Sequence, residues 1–505
     1  MDTPIVEMAR ISKRFGDLQA LAEVDLTVHK GDIHALVGEN GAGKTTLMNI
    51  LYGLYRPDAG TIRVRGTEAH IAGPRDAIAL GIGMIHQHFM LVPPLTVAEN
   101  VVLGDERGGP VLDTRGIEAR VAELEKRFGI QAEPRAKIED VPLGIQQRVE
   151  ILKVLYRGSE ILIFDEPTAV LTPQEVDDLF HIVRTLRDEG KTVILITHKL
   201  REVMAVSDHV TVLREGRNAA HLVTKETDPR AIAVAMVGRE LRDIRVRPGN
   251  VGPAVLEITS LSAESDRGGL ALKGVDVEVH AGEVVGIAGV GGNGQSELAQ
   301  CILGLRKVTG GVIKVGGSDV AHDDPRRTRQ RGVAYVPEDR RAEGLVLPFT
   351  LADNFILGRQ DQPPYARRGI LQGRVIRREG ERLAKEFDVR PPDPDVEVGT
   401  LSGGNQQKVV LGREISESPR LIVANQPTRG LDIAATEYVH ERLLEQRSRG
   451  CAILLISSEL DEILDLSDRI AVMFEGRIVA VLPAAEATEE RLGLLMAGHV
   501  EGVPA

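Results

Sequence analysis

HALVGENGAGKTTLMNILYGL, His34 to Leu54, joins a short apolar run to a helix-forming stretch through a glycine-rich turn, and that junction decides the fold. GENGAGKT, Gly38 to Thr45, satisfies the spacing G-x-x-x-x-G-K-[ST] between a strand and a helix. Gly38, Gly41 and Gly43 let backbone N–H groups turn inward around phosphate oxygens, and the helix start adds its positive end. Asn40 lies inside the loop, and Lys44 supplies a mobile cation for terminal phosphates. Thr45, followed by Thr46, offers a hydroxyl to Mg²⁺, a hard cation that takes oxygen donors. The competing reading, a glycine turn without a ligand, is opposed by the strand-to-helix setting.

Further along, ILIFDEP (Ile161–Pro167) is an apolar strand ending abruptly in two acids, as expected of a buried strand with an exposed tip. Asp165 is placed to orient Mg²⁺ through water, and Glu166 to polarise a water attacking a γ-phosphate. A second apolar run, VILITH, ends in His198. Such runs alternate with helical patterns such as TPQEVDDLFHIVRTLRDEG, which predicts an α/β fold with a mainly parallel sheet.

The chain repeats itself. LAEVDLTVHKGDIHALVG (Leu21–Gly38) aligns with LKGVDVEVHAGEVVGIAG (Leu272–Gly289), offset by 251 residues. ILIFDEPTAVLT aligns with LIVANQPTRGLD at Leu421, offset by 260, so a net nine residues are inserted between these blocks. RDIRVRPGNVGP, between the halves, is rich in Pro and Gly and lacks apolar periodicity. The expected organisation is a domain over 1–241, a linker over 242–253 and a second domain over 254–505.

Of 505 residues, 42% are apolar and 27% charged, an ordinary globular balance. A net charge of -12 would repel a phosphate backbone, which argues against nucleic acid as a partner. The two cysteines, Cys301 and Cys451, suit a reducing compartment and ordinary core positions. No apolar run reaches the roughly 20 residues that cross a bilayer, and the start, MDTPIVEMAR, carries no secretion signal, so any membrane role is expected to be peripheral. GVGGNG (Gly289–Gly294) fits a dinucleotide pattern but is the repeat partner of the phosphate loop, and His86 and His88 lack a third ligand for a metal.

The order Phe15, Gly38 to Thr45, Gln87, Gly144, Asp165, Glu166 and His198 resembles ATP-binding-cassette ATPases. The resemblance covers both halves. It implies two P-loop NTPase domains, each a RecA-like core with an antiparallel β subdomain and a helical subdomain. By its matches, Phe15 would stack on adenine, Gln87 would sense Mg²⁺ and the permease, and His198 would contact the γ-phosphate. The family's ATP is held between the phosphate loop of one half and an LSGGQ-type signature of the other. Leu401 to Gln407 reads LSGGNQQ, which carries Ser402, Gly403 and Gly404 to the first half's loop. The first half reads VPLGIQQ, where Pro142 replaces the serine and Gly144 survives.

The second half departs from the pattern throughout. Lys44 maps to Gln295, Thr45 to Ser296, Gln87 to Glu338, Asp165 to Asn425, Glu166 to Gln426, His198 to Ser458 and Phe15 to Asp266. The family's loop aspartate is Asp432 in the second half and Thr172 in the first. Sorted by composite site, the competent residues gather in one and the losses in the other, so one working and one degenerate ATP site are expected.

Wordings such as QHFMLVP, FDEPTAVLTPQE and NQPTRGLD are similar to the duplicated ATPases of monosaccharide and nucleoside importers, most of all the nucleoside branch. The resemblance implies ATP and Mg²⁺ as cofactors and a place at the cytoplasmic face of the cell membrane. Two transmembrane permease subunits would dock near Gln87 and Glu338, with a substrate-binding lipoprotein as an indirect partner. Simple-sugar uptake is the alternative. A soluble ribosome-associated tandem cassette is a third reading, opposed by Gln295 and the short linker.

Overall fold

The computed structural model describes residues 4–86, 89–105, 113–168, 171, 173–240, 251–266 and 268–499. The chain divides into two compact units, Met1–Leu241 and Arg242–Ala505. Gln87, His88, Thr172 and linker residues 242–250 lie outside the described residues.

The first unit has a four-stranded antiparallel sheet and a six-stranded mainly parallel sheet. In the latter the order is Arg217–Val223, His209–Arg214, Ile33–Gly38, Thr192–Ile196, Ile161–Asp165, Ile82–Ile85, and only the first pair is antiparallel. The central strands are buried along their whole length, as expected for parallel strands covered on both faces. Crossovers between parallel strands bring all their C-terminal ends to one edge, where α/β sheets bind ligands. Gly38, Asp165 and Ile196 are three such ends.

The second unit repeats the order strand for strand: Arg477–Pro483, Arg469–Phe474, Val284–Ala288, Ala452–Ser457, Leu421–Asn425, Val333–Val336. Three of the nine inserted residues fall between Val336 and Leu351, where the second unit has a turn at Arg340–Gly344, and the rest between Ile356 and Gly403. Buried glutamines repeat as well. Gln147 donates to the Pro167 carbonyl at 2.6 Å and Gln407 to the Pro427 carbonyl at 2.7 Å, pinning the helix that follows the signature to the acidic strand's end in each unit. Both cysteines are core residues, and burial pushes the thiols up to about 11 for Cys301 and about 12 for Cys451.

One core position differs in chemistry between the units. His34, on the strand Ile33–Gly38, is buried and meets the Thr211 hydroxyl at 2.8 Å; the second unit has Val285 and Ala471 at these places. Burial, then the charges of His209, His221 and His29, push the His34 imidazole down to about 3. The unfolded chain, at the ordinary 6.5, therefore takes the proton first, so this contribution to stability is complete above pH 6.5 and falls as pH drops toward 3. From pH 6.5 to 5.0 the loss is about 2 kcal/mol, at about 1.4 kcal/mol per unit. The double variant His34→Val, Thr211→Ala should flatten this slope in denaturant unfolding of the full chain at the two pH values.

Candidate functional site

The glycine loop of the first unit turns at positive φ at Gly41 (81°) and Gly43 (100°). A side chain at Gly43 would also meet Leu21 at 2.6 Å and the Ala20 carbonyl at 2.8 Å, and one at Gly38 would meet the Leu213 carbonyl at 2.3 Å, so the loop is closed to any Cβ at these positions. The helix that follows, Lys44–Leu51, has no side-chain cap. Its first turn, which follows the glycine loop directly, therefore has N–H groups that no side chain satisfies.

This loop forms one wall of a cavity of about 570 Å³. Asn40, Gly41, Gly43, Lys44, Thr45 and Thr46 line it, with Phe15 and Glu166. Lys44 is only 5% exposed and donates to the carbonyls of Gly38 at 2.7 Å and Glu39 at 3.0 Å. Phe15 is 40% exposed at the rim, its ring at a steep angle to Tyr55 with centroids 5.2 Å apart and the Lys13 ammonium 5.6 Å from its centre. Leu18, Gln19, Glu215 and Gly216 also line the cavity, and sequence reasoning did not name them. The signal was available for Gly216: it sits in REGR, repeated as FEGR at Gly476, and a side chain at either glycine would strike the backbone carbonyl of Ala20 or Ala271.

The acids arrive from the neighbouring strands. Asp165 is buried at its strand end and accepts a hydrogen bond from Thr45; burial, then the adjacent Glu166 carboxylate, push its carboxyl up to about 6, against the opposing pull of Lys44 and Thr45. Glu166 adopts φ 46°, a left-handed conformation that swings its side chain off the strand line, and its N–H bonds the Ile196 carbonyl at 3.0 Å. His198 Nδ1 lies 3.2 Å from Glu166 Oε1, and this hydrogen bond is the first cause that holds the Glu166 carboxyl below its usual range. Behind them Glu202 ties Thr168 to Thr197, accepting from Thr197 at 2.7 Å.

The donor set suits Mg²⁺. The Thr45 hydroxyl and Asp165 carboxylate are hard oxygens in mutual contact, and the adjoining carboxylates of Asp165 and Glu166 repel one another, so a divalent cation between them and a phosphate would relieve that repulsion. No cluster of three or more His, Cys, Asp or Glu groups that could hold a metal occurs among the described residues.

The second unit keeps the backbone geometry and loses the charges of the phosphate loop and the acidic strand end. Gln295 donates to the Val290 carbonyl at 3.2 Å, the contact that Lys44 makes with Glu39 one repeat earlier. Asn425 is buried where Asp165 stands. Gln426 copies the left-handed backbone of Glu166 at φ 49°, and Ser458 donates to its Oε1 through both N–H (3.2 Å) and hydroxyl (3.1 Å). Asp266, in the place of Phe15, pairs with Arg306 at 2.8 Å. Glu338 pairs with Arg429. Ser296 lies in the first turn of the helix Gln295–Ile302, whose start is likewise uncapped.

The signature segments differ at the helix start. Ser402 caps the helix Gly403–Ile415, its hydroxyl accepting from the Asn405 N–H, and leaves Gly403 and Gly404 in the first turn. Pro142 precedes the helix Leu143–Tyr156 without a side-chain cap, and Gly144 packs against Glu175. The Asp432 carboxylate accepts from the Ala435 N–H at 2.9 Å and caps its own helix.

Two regions of the chain, residues 21–169 and 272–429, match the model of the ABC transporter family. The chain is 48% identical to a nucleoside import ATP-binding protein, NupA, of Lactococcus lactis subsp. cremoris, over 98% of both chains. It is 48% identical to a guanosine import ATP-binding protein, NupO, of Bacillus subtilis, again over 98% of both. Identity is 46% to a glucose import ATP-binding protein, TsgD13, of Haloferax volcanii, over 98% of this chain and 96% of that one.

Proposed function

This chain belongs to the ABC transporter family, and we propose that within it the protein is the ATP-hydrolysing subunit of a nucleoside importer, with a single competent ATP site. The observation that carries the one-site reading is the Glu166–His198 pair opening on the lysine-bearing loop, against the neutral Gln426–Ser458 pair beside Gln295. In the competent site Phe15 would hold the adenine, and the loop N–H groups with Lys44 the phosphates. Thr45 and Asp165, with Gln87, would hold Mg²⁺, which when bound neutralises phosphate charge. Glu166 accepts the proton of the attacking water, and His198 orients Glu166 and contacts the γ-phosphate. Ser402, Gly403 and Gly404 would complete the site from the second unit's signature, with Asp432 beside the loop. The other composite site, of Gln295, Ser296, Asn425, Gln426 and Ser458 with Pro142 and Gly144, would turn nothing over.

The proposed partners are two permease subunits in the membrane, met near Gln87 and Glu338, and a binding lipoprotein acting through them. No helix among the described residues is long and apolar enough to cross a membrane, which fits a subunit docked at the cytoplasmic face. Nucleosides are favoured as cargo by the two relatives named for nucleoside and guanosine import. The glucose import relative supports a monosaccharide as the second reading. Reconstitution with a nucleoside permease pair and with a monosaccharide permease pair, each with its binding protein, separates the two. Nucleoside-loaded binding protein is expected to stimulate ATP hydrolysis several-fold, and stimulation by sugar-loaded protein alone would replace nucleosides with sugars.

A further inference from the structure

Beside the Glu166–His198 pair of the first unit, two buried hydroxyls meet one carboxylate. Thr168 follows Glu166 by two residues, and Thr197 directly precedes His198. Glu202, on the helix Leu200–Val206, is itself buried. Its Oε1 accepts from the Thr168 hydroxyl, and its Oε2 accepts from the Thr197 hydroxyl at 2.7 Å. Thr197 Oγ1 in turn accepts from the Lys199 N–H at 3.0 Å, which fixes the turn carrying His198. The Lys199 ammonium lies 3.6 Å from Glu202 Oε1. Hydrogen bonds to an ionised acceptor are roughly twice as strong as neutral ones, so a carboxylate that takes two hydroxyls and faces an ammonium joins the two segments firmly.

The second unit is an internal control, because it keeps the neighbouring ties between the same segments. The Gln426 N–H bonds the Ile456 carbonyl at 2.7 Å, as the Glu166 N–H bonds that of Ile196 at 3.0 Å. Gln407 holds Pro427 as Gln147 holds Pro167. Ser457 accepts from the Glu459 N–H at 3.1 Å, as Thr197 does from that of Lys199. The carboxylate is what differs. Glu462, in the place of Glu202, accepts from Thr428 at 2.9 Å through Oε1, and the same oxygen lies 2.9 Å from His440 Nε2. Its Oε2 is buried with no hydrogen-bond partner among the described residues, so the second hydroxyl is not engaged. Phe180 stands in the first unit where the second has His440, and Lys199 where it has Glu459. The fold therefore closes without the bridge, and the bridge occurs in the unit whose glutamate and histidine are intact.

We infer that Glu202 is a positioning residue for ATP hydrolysis: by holding Thr168 and Thr197 together, it sets the separation of Glu166 and His198. The inference rests on the reading of Glu166 as the proton acceptor of the one competent site. Glu202 is not among the residues that line the nucleotide cavity, so its effect passes through the two threonines. A displacement of about 1 Å in a reacting group costs on the order of 10²-fold in rate. ATP itself is held by the loop N–H groups and Lys44, so loss of the bridge lowers turnover and spares affinity.

The test measures kcat and the KM for ATP on purified transporter carrying Thr197→Val, Glu202→Gln or both. Valine keeps the shape of threonine without its hydroxyl, and the glutamine amide offers one accepting oxygen for two hydroxyls. Each single variant is expected to lower kcat by about tenfold or more with KM within about threefold of native. The double variant should fall no further than the more damaging single one, because both break the same bridge. Thr197→Ser, which keeps the hydroxyl, should regain most of the turnover, and Glu462→Gln should leave kcat within about twofold. Thermal unfolding checks that each variant is folded; if Glu202→Gln is not, Thr197→Val and Thr197→Ser decide. The positioning role is overturned by native kcat in the folded bridge variants, by KM rising in step with the fall in kcat, by Thr197→Ser as slow as Thr197→Val, or by an equal loss in Glu462→Gln. Glu166→Gln, assayed beside them, tells two failures apart. If it is inactive while the bridge variants turn over normally, the bridge alone fails; if it too turns over at the native rate, the one-site reading fails and the bridge with it.

Discussion

Replacing Glu166 with Gln is expected to lower steady-state ATP hydrolysis by about 10²- to 10³-fold while ATP binding persists. The amide matches the carboxylate in shape, so the loss isolates proton acceptance and charge from packing. The second unit already displays the geometry such a variant would adopt: Gln426 holds the same left-handed backbone and accepts from Ser458 as Glu166 meets His198. Lys44→Ala should lower hydrolysis comparably, because no other cation lines the first cavity among the described residues. Gln295→Ala, in the neutral loop, should change the rate by no more than about twofold. Purified transporter assayed at saturating ATP decides the matter, and native turnover in the Glu166 or Lys44 variant would end the one-site assignment.

Ser402→Pro should reduce hydrolysis by about 100-fold, the scale of losing one positioned hydroxyl and its accompanying backbone donor at a developing charge. It converts the second signature into the form the first half already has at Pro142, where the helix starts without a side-chain cap. Because the first unit forms the glycine loop and its cavity by itself, the affinity for ATP is expected to stay within a few-fold of the unaltered chain. The reverse exchange, Pro142→Ser, should add no hydrolysis, since Gln295 and Gln426 would still lack the cation and the base. Measuring nucleotide affinity and turnover on the same preparations separates a signature that completes catalysis from a serine that merely caps its helix. Full activity in Ser402→Pro would remove the composite site.

The phosphate loop, the acid-tipped strand and the duplication were readable because each depends on local order. A glycine loop needs glycines at fixed spacing, and the strand before it needs an unbroken apolar run. The rim formed by Leu18, Gln19 and Glu215 was not readable, since none of these residue types is unusual and nearly 200 residues of chain separate the first two from the third. Nor was the capping role of Asp432 visible in its residue type, because an aspartate before a helix serves equally as a cap or as a ligand.

The sequence by itself determined that this chain is a doubled phosphate-binding fold, with Lys44, Asp165, Glu166 and His198 in its front half replaced by the uncharged Gln295, Asn425, Gln426 and Ser458 in its back half. Backbone spacing and side-chain charge are properties of the linear chain and survive any folding. The tertiary structure alone decided that Thr45 touches Asp165, that His198 reaches Glu166, and that the neutral pair in the second unit keeps the same bond. It also decided that Glu202 bridges Thr168 and Thr197. Hydrogen bonds and charge interactions fall off within a few ångströms, so they exist only once the sheet order has brought distant strand ends together.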